Sequence, residues 1–173
     1  LEFYRDIKTV YTIHNLKYQG VFPKEVLGEI LGIPWDYFTA EGIEFYDKVN
    51  YLKAGVAYSH IISTVSKTYS EEIKTDFYGE NLNNILNKRS EDLYGILNGI
   101  DMDLNNPATD ERIFANFNKD DMGGKLVNRH KLQQTVGFDE RIDIPIIGII
   151  SRLVDQKGFD LLDFVMELML QDK

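Results

Sequence analysis

Cysteine is absent from all 173 residues. Disulfides and thiolate metal sites are therefore excluded, which fits a cytoplasmic protein. Positive charge is scarce: 19 Lys and Arg stand against 28 Asp and Glu, a formal net charge of −9. A nucleic-acid partner is not expected, because binding a phosphate backbone needs a basic surface. No apolar run approaches the ~20 residues of a membrane span. The N-terminus has neither a methionine nor a signal pattern. There is no internal repeat, no low-complexity tract and no G-x-x-x-x-G-K loop, so a P-loop nucleotide hydrolase is excluded. No acidic metal cluster is evident.

What is present is a globular composition, 43% hydrophobic and 27% charged. The segment most suggestive of chemistry runs from Ile144 to Leu162. The apolar run Ile146 to Ile150, broken only by Gly148, predicts a strand buried on both faces. A polar turn follows, Ser151 to Gly158, with two cations, Arg152 and Lys157. Phe159, Leu162, Phe164, Val165, Leu168 and Met169 then recur at helical spacing. Strand, cationic turn and helix form the arrangement that binds anions in open α/β sheets. An arginine can fork onto phosphate oxygens and a lysine adds a point charge. Spacing alone, however, favours two solvated surface charges over a phosphate site.

Elsewhere the pattern predicts a strand over Thr9 to Ile13, with His14 and Asn15 at its carboxyl end and a loop broken by Gly20 and Pro23. It predicts a short helix from Lys24 to Leu31 and a loop or short turn from Trp35 to Glu44. A helix follows from about Tyr46 to Ala57, weakened by Gly55. A strand covers His60 to Val65. Ser66 is the expected N-cap of the next helix, with Thr68 and Glu71 as a capping box. A further helix spans Asn81 to Arg89, a strand Tyr94 to Leu97, and Asn98-Gly99 a turn. Residues 101–121 read as a surface connection, and Gly123 to Val136 as a helix ended by Gly137. This alternation means an α/β fold with parallel sheets, and the break at 101–143 suggests two sheets. By position alone, His14 reads as a hydrogen-bonded loop or core residue and Asn98 as a left-handed turn residue.

Five segments resemble, in order, the ADP-glucose-dependent glycogen synthases of bacteria and the starch synthases of plants. They are TIHNLKYQGVFP (12–23), YLKAGVAYSHIISTVSKTYSEEI (51–73), GILNGIDMDLNNPATD (95–110), KLVNRHKLQQTVGF (125–138) and IGIISRLVDQKGFDLL (147–162). The resemblance implies a GT-B architecture, two Rossmann-like domains facing each other across a cleft, only partly represented here. Residues 1–100 would be the back part of the first domain, 101–143 the hinge, and 144–173 the first strand and helix of the second, nucleotide-sugar-binding domain. The chain thus reads as an internal segment, expected not to turn over alone.

The resemblance further implies retaining transfer of glucose from ADP-glucose to the non-reducing end of an α-1,4-glucan such as glycogen. ADP-glucose is a substrate, and no cofactor or metal is expected. Arg152 and Lys157 match the family's cations on the donor diphosphate, and His14 the histidine beside the transferred glucose. Asn98, Asn15 and Gly20 fall on the substrate side of the cleft. The family's tryptophan before the proline of W-x-P-x-T-D is replaced here by Leu104, Asn105 and Asn106 before Pro107, which bears on hinge packing. A UDP-glucose transferase of the same fold and a non-catalytic glucan-binding module are the alternatives. Oligomeric state is left open.

Overall fold

The computed structural model describes residues 2–171. The chain divides into two compact units, Leu1–Asp101 and Met102–Lys173.

The first unit runs β1 (Val10–Ile13), β2 (Val21–Pro23), β3 (Glu44–Phe45), β4 (Lys48–Asn50), α1 (Tyr51–Tyr58), β5 (Ile61–Thr64), α2 (Lys67–Glu72), α3 (Asn83–Lys88) and β6 (Leu93–Gly95). A parallel sheet has the order β1-β5-β6, with Tyr11 paired to Ile62 and Ile62 to Leu93. The expected α/β class is therefore present. Side-chain hydroxyls reinforce the ladder: Thr12 and Ser63 are 2.8 Å apart, and Thr64 Oγ1 donates to the Ile13 carbonyl at 2.7 Å.

Helices α1, α2 and α3 bring Leu52, Val56, Ile73 and Leu86 against Ile13 and Ile62 of the sheet to make the main core. Burying each such side chain stabilises the fold by about 1.5–3 kcal/mol. Gly55 has a packing reason. The Tyr11 ring lies against it, so that a Cβ there would meet the ring's Cδ2 at 2.5 Å. Arg89 closes the far end of α1. Its guanidinium donates to the carbonyls of Val56 (2.7 Å) and Ser59 (2.9 Å) and pairs with Asp92.

The helix expected from Tyr46 begins only at Tyr51. Residues 44–50 instead form the hairpin β3-β4, which joins β2 in a small antiparallel sheet of order β2-β4-β3. Tyr46 (φ 50°) and Asp47 (φ 61°) both turn left-handed between the paired Phe45 and Lys48. Two positive φ values in a two-residue loop match the twist of a hairpin. Asn50, fully buried, then caps α1 by accepting from Lys53 N at 2.9 Å. Upstream, the helix expected over Lys24 to Leu31 is reduced to a wide-turned segment, Leu27–Leu31, ended by left-handed Gly32.

Ser66 caps α2 as expected, its Oγ accepting from Tyr69 N at 2.9 Å. The capping box does not form. Thr68 lies inside the helix, and Glu71 pairs with Lys74 at 2.7 Å. Ser66→Ala is expected to cost about 1 kcal/mol, read as a lower midpoint in urea unfolding. The strand expected at Tyr94 to Leu97 is displaced to Leu93–Gly95, although Ile96 N still reaches the Thr64 carbonyl at 2.7 Å. Asn98-Gly99 forms no turn, and neither residue has a positive φ.

The second unit holds α4 (Gly123–Val136) and α5 (Phe159–Gln171). Gly137, at φ 74°, ends α4 as predicted. Side-chain amides organise the surrounding loops. Asn128 accepts from Phe114 N at 2.8 Å and donates to the Ala115 carbonyl at 2.6 Å. Gln133, buried, donates to the carbonyls of Asp139 and Arg141, both at 3.0 Å. No strand occurs among the described residues of this unit, so both sheets lie in the first. The strand expected at Ile146 to Ile150 is corrected: these residues make no ladder, and Ile150 is fully exposed. An apolar run encodes a wish for burial, whereas a strand exists only as a pairing, and no described residue of this unit offers an edge.

Candidate functional site

In the first unit the candidate residues gather where β1 ends. Functional groups of open parallel sheets collect at the carboxyl ends of strands, where loops leave the sheet. His14 is the first residue past β1 and is exposed. Asn15 is half-buried, and its Oδ1 accepts from Lys17 N at 3.0 Å, the turn that asparagine makes with its own backbone. Leu16, buried, anchors the loop in the core, and its N–H donates to the Tyr69 hydroxyl at 3.1 Å.

Gly20 holds φ at +64°, and a Cβ there would stand 3.4 Å from that of Tyr51. Its carbonyl accepts from Tyr51 N at 3.1 Å, which fixes the loop onto the start of α1. Only glycine takes this conformation without steric cost.

Asn98 lies three residues beyond β6 and is exposed. The strands β1 and β6 are parallel and separated by β5 alone. Ile13 and Gly95, both registered to Thr64, therefore lie about 10 Å apart at the carboxyl end of the sheet, and the His14 and Asn98 segments both leave the sheet from that end.

A second feature of this region escaped the sequence reading. Glu80 (φ 47°) and Asn81 (φ 63°) are consecutive left-handed residues. Asparagine tolerates that region, but a glutamate held there stores on the order of 1–3 kcal/mol of strain. Gln19 helps to hold the strained turn in place. Its Nε2 donates to the Glu80 carbonyl at 2.9 Å, while its Oε1 accepts from the buried Asn50 amide at 2.6 Å. The one available sequence signal was Gly79-Glu80-Asn81, which reads as a turn but not as a strained one.

In the second unit Arg152 follows the isoleucine run, and Lys157 ends a single 3-10 turn, Asp155–Lys157. Gly158, left-handed at φ 68°, breaks that turn and starts α5, its carbonyl accepting from Leu161 N and Leu162 N at 3.1 and 3.2 Å. Lys157 therefore stands two residues ahead of the positive end of a 13-residue helix. Both cations are exposed, and neither side chain has a hydrogen bond or ion pair among the described residues. The concavity beside them, about 290 Å³, is lined by Leu153, Val154, Asp155, Phe159 and Asp160 and not by the cations. The acid in the first turn of α5, Asp160, already meets part of the helix's positive end.

Comparison with known proteins places this geometry in a family. A family profile described as the starch synthase catalytic domain matches residues 1–88. The chain is 52% identical over 167 residues to a glycogen synthase of Clostridium novyi, covering 96% of this chain and 35% of the relative. It is 53% identical over 173 residues to a glycogen synthase of Clostridioides difficile, covering 99% and 36%. Among solved structures, the catalytic domain of starch synthase IV from Arabidopsis thaliana bound to ADP and acarbose superposes with a TM-score of 0.87 at 36% identity. That match covers 95% of this chain and 34% of the plant chain. The chain thus spans about a third of the length of the curated relatives it matches. With its α/β first unit matched by the profile and its whole length matched at about half identity by glycogen synthases, this chain belongs to the starch synthase catalytic domain family.

Proposed function

We propose that this chain serves glycogen synthesis, in transfer of glucose from ADP-glucose to the non-reducing 4-hydroxyl of an α-1,4-glucan with retention at the anomeric carbon. The observation that carries the reading is the identity of about half to glycogen synthases over nearly the whole chain, which includes both the His14 loop and the Arg152–Lys157 turn.

When the bond from the anomeric carbon to the diphosphate breaks, its electrons go to the departing ADP. Arg152 and Lys157 are the groups assigned to meet that charge. Fixed cations aimed at charge that develops in the transition state commonly supply the largest catalytic term. Their lack of partners among the described residues means that no ion pair must be broken to recruit them. In this reading the pair does the electrostatic work on the diphosphate, and no metal is assigned. His14 is assigned to the transferred glucose, Asn98 to the glucan side of the site, and Asn15 and Gly20 to substrate binding. The location is cytoplasmic. No helix among the described residues is long and apolar enough to cross a membrane.

The test is transfer of labelled glucose to glycogen from ADP-glucose and from UDP-glucose, by a polypeptide completed to the length of the curated relatives. Preferential transfer from ADP-glucose is expected. Inertness with both donors, with glycogen still bound, would replace this reading by a glucan-binding module.

A further inference from the structure

Two side-chain amides form a relay from the start of α1, through the loop after β1, to the turn between α2 and α3. It begins at Lys53, whose N–H donates to Asn50 Oδ1 at 2.9 Å. Asn50 Nδ2 donates to Gln19 Oε1 at 2.6 Å, and Gln19 Nε2 donates to the Glu80 carbonyl at 2.9 Å. A backbone N–H fixes one end and a backbone C=O the other, so a single orientation of each amide satisfies every bond. The origin is itself anchored. The Lys53 ammonium donates to the carbonyls of Ala40 and Glu44, and Asn50 is fully buried where β4 passes into α1.

Helix capping does not require this arrangement. A cap needs an acceptor, which serine, threonine and aspartate supply as well as asparagine. Only asparagine among them accepts on one branch of its side chain and donates N–H from the other. At Asn50 that second branch meets Gln19 and not the helix. Gln19 is tied by its backbone too. Its carbonyl accepts from Leu52 N at 3.0 Å, and the neighbouring Gly20 carbonyl accepts from Tyr51 N at 3.1 Å. The loop that begins at His14 is thus fastened at its far end to the first turn of α1 and, through the amides, to the left-handed turn at Glu80.

We propose that Asn50 and Gln19 are positioning residues, which preset the loop bearing His14 against the Glu80–Asn81 turn before substrate arrives. Asn50 acts through Gln19, and Gln19 through the backbone of its own loop. The consequence for transfer rests on the glycogen-synthesis reading, in which His14 meets the transferred glucose. A preset loop spares the substrate the ordering of it. A positioned group displaced by about 1 Å can lower a rate ~10²-fold.

Asn50→Ser and Gln19→Glu separate positioning from capping. Serine still accepts from Lys53 N but is too short to reach Gln19, and glutamate still accepts from Asn50 but has no donor for the Glu80 carbonyl. The first readout is amide hydrogen exchange of the full 173-residue chain, which needs neither donor nor glucan. The hydrogen-bonded amides of Leu16, Lys17 and Tyr18 are expected to exchange about tenfold faster in either variant, the weight of one hydrogen bond, with Ile62 in the central strand unchanged. The double variant should stay within about twofold of the faster single one, because both changes break the same relay. The second readout is glucosyl transfer by the completed polypeptide. There kcat is expected to fall about tenfold, with KM for ADP-glucose within about twofold of the parent. A merely structural role would lower the melting temperature and leave kcat alone. Unchanged exchange at residues 16–18 in both variants, or faster exchange with kcat within about twofold of the parent, would overturn the proposal. Faster exchange in the variants of a polypeptide whose parent transfers glucose from neither donor keeps the proposal and removes the transfer reading.

Discussion

Lys157→Ala, in a polypeptide completed to the length of the curated relatives, is expected to lower glucosyl transfer by about 10²–10³-fold, the cost of removing one donor from a charge-stabilising site. On the proposed role of Lys157 the loss should fall on kcat, because the charge assigned to it is fully developed only as the diphosphate leaves. The KM for glycogen should hardly move. Arg152→Ala is expected to act in the same sense. Arg152→Lys should recover only part of the rate, since a point charge replaces a fork that can hold two phosphate oxygens. Melting temperature should not change, because both side chains are exposed and without partners among the described residues. Initial rates at saturating ADP-glucose, beside a thermal melt, decide the matter. A rate within a few-fold of the parent would reduce the two cations to solvated surface charges.

The largest effect on stability is expected from Ile62→Ala. Ile62 is fully buried in the central strand, with Tyr11 paired on one side and Leu93 on the other. Truncation removes burial and leaves a void that the sheet cannot close, at a typical cost of about 2–5 kcal/mol. In a unit of about 100 residues that is a large part of a 5–15 kcal/mol total, and it should lower the melting temperature by more than about 10 °C. Leu168→Ala, on the exposed side of α5, is the matched control, with an expected change within about 0.5 kcal/mol. Equal losses at the two positions would mean that stability does not reside in the parallel sheet.

What the sequence made legible was what is encoded locally. The periodicity and terminal glycine of α4 gave Gly123–Val136 to the residue, and Ser66 was recognisable because a serine before a helix has one dominant use. The parallel strands β1 and β5 stood out by their β-branched residues. The antiparallel sheet did not, because its strands are two or three residues long and its hairpin turns on Tyr46-Asp47, which carry no turn signature. The isoleucines of 146–150 were overread for a different reason: local pattern states a preference for burial and cannot state whether a partner is present. The candidate site divides in the same way. His14, Asn15, Gly20, Arg152 and Lys157 lie in short motifs that can be seen along the chain. The relay joins residues 19, 50, 53 and 80 through two side-chain amides, and no window of sequence contains that.

The strand order also sets a timetable for synthesis. The first strand of the parallel sheet pairs only with β5, 51 residues later, and β5 gains its second neighbour only when β6 appears. At ~5–20 residues per second the nascent β1 therefore waits about 3–10 s for its partner. The antiparallel sheet, complete by Asn50, closes shorter spans, its widest pairing being Val21 with Asn50, and can form during that wait. The minor sheet is thus the earlier structure, and the sheet that displays His14 and Asn98 is assembled last, its central strand arriving between its two edges.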